Sequence, residues 1–360
     1  MAGAPRRRVM LVYASPLFSA DLYRRGILDP VSRGANELRV ISGYATPSMA
    51  SQVLTDCRDE FRRDVGLQLV VGMTGLEGIS INAHRGFESL QEDPPAGRIR
   101  VQYMPTGLPV HTKLFVWLRD GVAVSAFAGS SNFTHNGFLL GRNGNSRSEL
   151  LVEVDPTEAL SEFASIEKKS IAIDHPDLLD EVTVRRKVDA PEWSEPALDD
   201  ASAFNELLGS ETVILPLVMT GGPKVTRGEV HTRSGLNWGQ RPEHNREPNQ
   251  AYIPVPAPVA RSGFFPPRGV QFLVSTDDNK AIIMVVAEDG DKALHSPQGN
   301  HLIGEYFRHR LGVANGAPVQ TQDLLNFGSR FVRFYKTDDN SYFMEFDRSV
   351  ERDGSAFYGI

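Results

Sequence analysis

A histidine and a lysine stand two residues apart in the apolar run LPVHTKLFVWL, and a Gly-Ser-Ser-Asn stretch follows one predicted strand later. Because residues two apart on a strand point to the same face, His111 and Lys113 are predicted to project together. Ser130 and Asn132, also two apart, end the next predicted strand, and Glu149 opens the strand after it. Neighbouring strand ends would thus present an imidazole, an ammonium, a hydroxyl, an amide and a carboxylate to one point.

This set of groups suits the transfer of a phosphoryl group. A neutral imidazole can attack phosphorus as a nucleophile, and a cation with neutral hydrogen-bond donors stabilises the charge that develops on the oxygens. A carboxylate on the far ring nitrogen fixes the orientation of an imidazole. We therefore predict His111 as the nucleophile and Glu149 as the group that orients its ring. The phosphoryl oxygens are expected to be held by Lys113, Ser130 and Asn132.

Each motif is common when it stands alone. His-x-Lys also occurs as a surface pair on an edge strand, and Gly-Ser-x-Asn is an ordinary turn. Together and in this order they resemble the phospholipase D superfamily, whose motif is His-x-Lys-x4-Asp (HKD) followed by Gly-Ser-x-Asn. The matching residues are His111, Lys113, Gly129, Ser130 and Asn132. Leu118 stands where the family has Asp, a departure that puts the local scaffold in doubt more than the chemistry. The family's downstream acid maps to Glu149, with Glu153 as the alternative.

The motif occurs once, since none of the other eight histidines is followed by a lysine two positions later. The resemblance implies a mechanism with two histidines, one acting as nucleophile and one as acid toward the leaving oxygen. A single copy therefore implies a homodimer in which two His111 side chains meet across a twofold axis. One active site per dimer follows.

The elements that must position these residues alternate between strand and helix patterns. Strands are predicted at 9–13, 37–43, 67–73 and 98–104, and the segments between them carry apolar residues at helical spacing. The predicted strands VHTKLFVWL, VAVSAFA and ELLVEVD and the helix EALSEFASIEKK follow. This order predicts an α/β domain, a sheet flanked by helices, over residues 1–185.

The composition changes in the middle of the chain. The stretch KVDAPEWSEPALDD has five carboxylates against one lysine, which is typical of a solvated linker, placed here at 186–202. Over 203–360, short apolar runs such as VQFLVST, AIIMVVAE and FVRFYK alternate with turn sequences. The segment AYIPVPAPV is predicted as a strand as well. Together these runs predict a β-barrel-like or half-open β domain with helices at NHLIGEYFRHRLG and TQDLLNF. A chain of 360 residues is long enough for two such domains.

Composition excludes several classes of protein. The apolar share of 41% and charged share of 23% are those of a soluble globular protein, and no apolar run approaches the ~20 residues of a membrane helix. The single cysteine, Cys57, excludes a disulfide framework and Cys-based zinc sites. The opening MAGAPRRRVMLVYASP predicts a first strand rather than a secretion signal, so we expect a cytoplasmic protein. The net charge of −7 gives no global sign of nucleic acid.

A local basic segment lies in the second half. Residues 222–269 contain seven lysines and arginines against three glutamates, a net charge of +4. Within them, HTRSGLNWGQRPEHNREPNQAYIPVP concentrates arginine, asparagine, glutamine and tryptophan between predicted strands. Arginine and asparagine or glutamine make bidentate contacts to guanine and adenine edges in the major groove. The alternative interpretation is a solvated loop with an exposed tryptophan.

The phrases GLNWGQR, AYIPVP, FFPPRG, STDD, GEYFRHRLG and FVRFYK resemble the C-terminal B3-like domain of one group of restriction endonucleases. In that group a phospholipase-D-type nuclease domain precedes it, and ISGYATP, LQLVVGM and GSSNFTHNGF resemble that part. The resemblance implies metal-independent cleavage of double-stranded DNA within a restriction–modification system. It also implies two DNA-gripping arms. The expected contact residues are Arg233, Asn237, Trp238, Gln240 and Arg241 in the first arm, and Lys292, Ser296, Gln298 and Asn300 in the second. Arg308 and Arg310 are expected to be structural.

No cofactor is expected in this chain itself. Some relatives in this group work with a separate helicase-like ATPase subunit. The sequence contains no Gly-x4-Gly-Lys-Ser/Thr, so ATP would act only through such a partner.

Three alternatives remain open on sequence alone. Asp155 with Glu167 and Lys169 faintly resembles the Asp…Glu-x-Lys arrangement of metal-dependent nucleases, although EALSEFASIEKK is helical in pattern. A phospholipase or another phosphodiesterase of the same superfamily is the second alternative, against which stand the single motif and the basic β domain. A sequence-specific DNA-binding protein with an inactive nuclease domain is the third, and Leu118 is its support.

Overall fold

The computed structural model describes residues 11–14, 22–138, 140, 149–185, 211–221, 226–338 and 340–359. Two compact units are present. The first comprises the residues up to Ile79 and Leu90–Arg185, and the second comprises Ser80–Ser89 and the residues from 186 onward. The linker predicted at 186–202 lies outside the described residues.

The first unit is built on a mixed sheet of eight strands, and two further short strands pair with each other. Among the described residues, the strands in chain order are β1 (Leu11–Ala14), β2 (Glu37–Ser42), β3 (Gly66–Val71), β4 (Ile79–Ser80), β5 (Arg98–Tyr103), β6 (Leu114–Arg119), β7 (Val122–Gly129), β8 (Glu149–Glu153), β9 (Ile171–Ala172) and β10 (Val184–Arg185). The sheet has the spatial order β1-β8-β7-β6-β2-β3-β5-β9, and β4 pairs with β10.

The pairing directions bring four strand ends to one edge of this sheet. Strands β2, β3 and β5 run parallel, whereas β6 is antiparallel to β2 and β7 is antiparallel to both β6 and β8. Ile41 at the end of β2 therefore pairs with Leu114 at the start of β6, and Leu114 also pairs with Ala128 near the end of β7. Gly129 in turn faces Leu151 near the start of β8.

Helices flank the sheet as predicted. Their bounds are α1 (Asp29–Ser32, after the π-helical turn Arg24–Leu28), α2 (Pro47–Phe61), α3 (Thr74–Glu77), α5 (Pro156–Glu167) and α6 (Leu178–Glu181), whereas most of α4 (Ile81–Glu92) belongs to the second unit. The long helix α2 begins where the Thr46 hydroxyl accepts a hydrogen bond from the amide of Met49. On one face of β6, Val116 and Leu118 pack with Phe163 of α5. The predicted α/β domain is confirmed.

The second unit contains a curved seven-stranded sheet of order β11-β16-β17-β13-β14-β15-β12. Its strands are β11 (Thr212–Pro216), β12 (Ile253–Pro254), β13 (Gln271–Thr276), β14 (Ala281–Ala287), β15 (Ala293–His295), β16 (Phe331–Asp338) and β17 (Ser341–Glu345). The helices are α7 (Ala257–Ser262), α8 (Asn300–Leu311), α9 (Thr321–Phe327) and α10 (Arg348–Tyr358). Phe264, Phe272 and Tyr342 lie in its core. The predicted half-open β domain with helical inserts is confirmed.

Two local predictions are wrong. The segment AYIPVPAPV was predicted as a strand, but only Ile253–Pro254 pairs, and the chain then turns into helix α7. Its prolines cannot donate ladder hydrogen bonds, whereas a proline in the first turn of a helix loses nothing. The strand predicted from VHTKLFVWL begins at Leu114, so His111 and Lys113 precede it. Within the described ranges, every helix is too short or too polar to cross a membrane.

Candidate functional site

His111 and Lys113 lie in an extended segment that leads into β6 at the edge where the four strand ends meet. This segment is held close to the end of β3, because Val110 donates a backbone hydrogen bond of 3.0 Å to Gly72. A Cβ atom on Gly72 would lie 1.9 Å from the carbonyl oxygen of Val110, so the close approach requires glycine. The His111 side chain is exposed and Lys113 is only 6% exposed. The two therefore differ in environment although they are two residues apart.

The Lys113 ammonium is a buried cation directly behind the histidine. Its Nζ donates a hydrogen bond of 2.7 Å to the backbone carbonyl of His111. Burial lowers the pKa of Lys113, and the negative charge of Glu149 partly opposes that shift. A cation with little water around it interacts strongly with any anion that approaches.

Ser130 and Glu149 contact each other at the ends of β7 and β8. The Ser130 hydroxyl donates to Glu149 Oε2 and accepts from the amide of Leu150 at 3.0 Å. The close approach of the two strands depends on Gly129, where a Cβ atom would lie 1.8 Å from the Leu150 carbonyl oxygen. Glu149 thus bonds to Ser130 and not to the imidazole of its own chain. Its predicted role in orienting an imidazole stays a prediction.

Asn132 is fixed by the end of β2. Its Oδ1 accepts from the amide of Tyr44 at 3.2 Å and lies 3.5 Å from the Ser42 hydroxyl. This places Nδ2 as the free end of the amide, because none of the described residues accepts a hydrogen bond from it. A Cβ atom on Gly43 would lie 2.9 Å from Cδ2 of His111 and 3.5 Å from Asn132 Oδ1. The histidine and the asparagine therefore both lie close to Gly43.

Sequence reasoning missed this contribution of Ser42 and Gly43. The phrase ISGYATP was noted only as part of a resemblance. The available signal was that β2 ends in a small polar segment, as β7 does. Nothing in the spacing, however, placed residue 43 beside residue 111, because that proximity follows from the pairing of β2 with β6.

Two residues left the match to the motif incomplete: Leu118, which stands in place of the family's Asp, and Glu153, the alternative to Glu149. Leu118 is fully buried and pairs with Glu37 at the end of β6 remote from the site. It stands four residues beyond Leu114, about 13 Å along the strand. Leu118 therefore contributes to the core and leaves the site untouched. Glu153 lies about 13 Å along β8 from Glu149, so Glu149 is the acid nearer to the other groups.

The arrangement required by a metal-dependent nuclease is absent from the described residues. Asp155 caps the start of α5 by accepting from the amides of Thr157 and Glu158, and Glu167 ends the same helix. Twelve residues of helix separate the two carboxylates by about 18 Å, too far to share an ion. In the described part of the chain, no group of three histidine, cysteine or acidic residues is arranged to hold a metal.

In the second unit, four predicted DNA-contact residues are engaged with the protein itself. Asn237 is 2% exposed, and its amide bonds to the backbone of His231 and Val319. The Gln240 amide donates to the carbonyls of Pro248 and Gly316. Ser296 is buried, and Asn300 accepts from its amide. The placement of Asn237 and Ser296 argues against DNA contact, since a buried side chain cannot reach a base edge.

Gln298 is half-buried, and its amide donates to the carbonyl of Ser89. The remaining predicted residues present polar groups at the surface. Arg233 is about half exposed and pairs with Glu243, and Lys292 is exposed. Arg241 is half-buried and donates through Nε to the carbonyl of Arg233 at 2.8 Å, and no described residue accepts a hydrogen bond from its Nη1 or Nη2.

Trp238 is half-buried beneath an arginine that the sequence did not single out. The guanidinium of Arg246 lies 3.9 Å from the centre of the Trp238 ring. Tyr252 and His295 complete an aromatic cluster around the tryptophan, with ring centres 6.0 and 5.6 Å away. Trp238 therefore packs within this cluster, and its predicted contact with DNA stays a prediction.

The structural roles expected for Arg308 and Arg310 are confirmed. Arg308 is fully buried and donates to five backbone carbonyls, those of Leu236, Pro248, Asn249, Gly304 and Ala317. Arg310 pairs with Asp277 and Asp278. Neither guanidinium is available to a phosphate in this conformation.

Comparison with protein families assigns both halves of the chain. Residues 20–180 match the model of the NgoFVII restriction endonuclease N-terminal PLD domain, and residues 216–338 match that of the NgoFVII C-terminal B3-like DNA-binding domain. A search of curated proteins found no match.

Three solved structures with similarity to this chain are as follows. NucT from Helicobacter pylori is 12% identical over 46% of this chain and 99% of its own, with a TM-score of 0.32. Nuc from Salmonella typhimurium, a phospholipase D family member, is 17% identical over 46% and 97%, with a TM-score of 0.31. Polyphosphate kinase from Porphyromonas gingivalis is 16% identical over 57% and 29%, with a TM-score of 0.30.

Proposed function

This chain carries a PLD domain of the NgoFVII restriction endonuclease family at residues 20–180 and a B3-like DNA-binding domain of that family at 216–338, and we propose that it is a metal-independent restriction endonuclease. One observation carries the proposal. An exposed imidazole, a buried ammonium, a hydroxyl and a free amide donor converge at one edge of the sheet, where four strand ends meet. These groups can supply a nucleophile and stabilise the charge on a phosphodiester during hydrolysis, and the same chain carries a DNA-binding domain.

The reaction follows from the groups present. A ring nitrogen of His111 attacks the DNA phosphorus, and the bond from phosphorus to one deoxyribose oxygen breaks as His111 of a second copy donates a proton to that oxygen. Water then attacks the phosphohistidine, the second imidazole takes up a proton, and free His111 is restored. Lys113, Ser130 and Asn132 Nδ2 stabilise the non-bridging oxygens in both steps.

A second copy of the chain supplies the second imidazole in this scheme. The exposure of His111 suits a group that must meet its equivalent across a twofold axis. Leu108, which is 50% exposed, lies in the same segment, and Leu76, which is 66% exposed, follows Gly75, whose Cβ position is 2.8 Å from the Leu108 backbone. We propose that the second copy covers these apolar side chains. If cleavage depends on ATP, a separate helicase-like ATPase subunit supplies that dependence.

Cleavage mapping in EDTA tests the proposed function. Purified protein should cut double-stranded DNA at fixed sites with EDTA present, because protein groups supply the nucleophile and the charge stabilisation. A separate reaction with Mg²⁺, ATP and any neighbouring helicase, and without EDTA, tests the ATPase partner, because such a partner needs Mg²⁺ with its ATP. A strict requirement for a divalent cation in the reaction without ATP would contradict the mechanism. Turnover of a phosphatidyl substrate without DNA cleavage would favour the phospholipase alternative, and specific binding without any cutting would favour the inactive binder.

Sequence recognition is expected to depend on Arg241 and not on Asn237. Arg241→Ala should weaken binding to the mapped site by about 10- to 100-fold with a smaller effect on other DNA, as for the loss of one base-reading arginine. Lys292→Ala should weaken binding to all sequences and reduce the salt slope by about one. Binding constants for both kinds of DNA at several salt concentrations provide the measurement.

Arg352→Ala is the matched control, since Arg352 is 91% exposed on α10. Asn237→Ala should lower the unfolding temperature instead, because it leaves the buried Val319 backbone groups without partners. Equal losses for Arg241→Ala and Arg352→Ala would contradict the assignment of the first arm.

A further inference from the structure

Tyr44 contacts the predicted nucleophile and has no role in the mechanism above. Its ring lies edge-to-face with the His111 imidazole, with ring centres 6.2 Å apart at an angle of 83°. The Tyr44 hydroxyl donates a hydrogen bond of 2.6 Å to Glu77 Oε1 at the end of α3. Tyr44 is 39% exposed, so it is at most partly a core residue.

The His111 imidazole requires a neighbouring group, such as the Tyr44 ring, to fix its orientation. No described residue makes a hydrogen bond to its ring, and the side chain is exposed. An exposed histidine without a partner rotates among several staggered conformations, whereas attack on phosphorus requires one orientation. Gly43 limits the ring on one side, where a Cβ atom would be 2.9 Å from Cδ2. Tyr44 packs against the same ring.

The backbone that carries Tyr44 is well fixed. The Tyr44 carbonyl accepts from the Ser42 hydroxyl at 2.6 Å and from the amide of Phe133 at 3.2 Å. The Tyr44 amide donates to Asn132 Oδ1, and Ala45 forms a β-bridge with Phe133. With Glu77 holding the hydroxyl, the aromatic ring is fixed at both of its ends.

We propose that Tyr44, anchored by Glu77, is a positioning residue that holds the His111 imidazole in its attacking orientation. The inference rests on the proposed nuclease function. The same residue also fixes the Asn132 amide through its backbone. The tyrosine side chain therefore aligns the nucleophile while its main chain aligns a group that holds the phosphoryl oxygen.

Single-turnover cleavage in EDTA, with enzyme in excess over DNA, tests the role of the ring. Tyr44→Leu should lower the rate by about 10- to 100-fold at saturating enzyme with unchanged DNA affinity, because only alignment is lost. Tyr44→Phe keeps the ring and loses only the hydrogen bond to Glu77, so its rate should be much closer to wild type than that of Tyr44→Leu. Glu77→Ala should match Tyr44→Phe, and the double variant should show no further loss, since both remove the same hydrogen bond. Phe357→Leu, at an exposed aromatic residue of α10, is the control.

A second readout does not require cleavage. Proton resonances of the His111 ring should shift in Tyr44→Leu, since an edge-to-face aromatic ring perturbs them, and should change little in Tyr44→Phe. Unshifted resonances, a wild-type rate for Tyr44→Leu, or a loss confined to DNA affinity would each overturn the inference. If the wild-type protein cuts no DNA but the His111 resonances still shift in Tyr44→Leu, the proposed function is overturned and the contact between Tyr44 and His111 remains supported.

Discussion

Replacing His111 by alanine is expected to lower the rate of DNA cleavage by on the order of 10⁴-fold or more, as removal of a covalent nucleophile does in other hydrolases. DNA affinity should stay close to that of the unchanged protein, because recognition belongs to the second unit. The side chain is exposed and makes no hydrogen bond to any described residue, so the variant should also keep its unfolding temperature. Cleavage rates, binding constants and thermal unfolding measure the three effects.

The control for this prediction is His175→Ala. His175 lies in the first unit, and its side chain is also partly exposed, but it stands after β9, away from the four strand ends. It should cut at the normal rate. Normal cutting by His111→Ala would refute the phosphohistidine mechanism, and loss of cutting together with loss of binding would point to a folding defect.

Mixing the wild-type protein with His111→Ala tests whether two copies of the chain share one active site. If one active site requires His111 from both copies, mixed dimers are inactive. Activity should then fall with the square of the wild-type fraction after subunit exchange. A linear fall would show that each chain acts by itself.

The groups of the site were predictable from the sequence, but their support was not. The two-residue spacing of His111 and Lys113 predicted two side chains on one face of a strand, whereas both residues lie before β6 and one is exposed while the other is buried. The spacing of residues in a motif predicts only which side chains are close along the chain. The contribution of Gly43 comes from a strand about 70 residues earlier in the sequence, and only the β2–β6 pairing brings it to the histidine.

The second unit illustrates a different limit. Composition marked Asn237 and Arg241 equally as base-reading residues, since both types bind base edges. The structure separates them, because the Asn237 amide bonds to the backbone of Val319, whereas the Nη atoms of Arg241 have no hydrogen-bond partner among the described residues. Arg308 was expected to be structural, and its five carbonyl partners agree. Burial decides which polar residues are free to bind, and burial depends on long-range packing.

Replacing Lys113 by methionine should lower the cleavage rate by about 10²- to 10³-fold, as for loss of one preorganised group that stabilises transition-state charge. Methionine keeps the length and apolar stem that this buried position requires, so the loss should be in rate rather than in stability. Lys168→Met, at an exposed residue after α5, removes the same charge and should cut normally. Equal effects of the two substitutions would mean that net charge, and not the position of Lys113, matters.

The pH dependence of cleavage separates the charge of Lys113 from its shape. Burial lowers the pKa of Lys113 below its ordinary value of 10.5, with Glu149 opposing the shift. The charged form is the active one and prevails below that pKa, so cleavage should decline as pH rises through it, beginning below 10.5. The part of the decline that belongs to Lys113 should be present in Lys168→Met and missing from Lys113→Met. Identical pH profiles for these two variants would contradict a role of the buried ammonium in holding the phosphoryl oxygens.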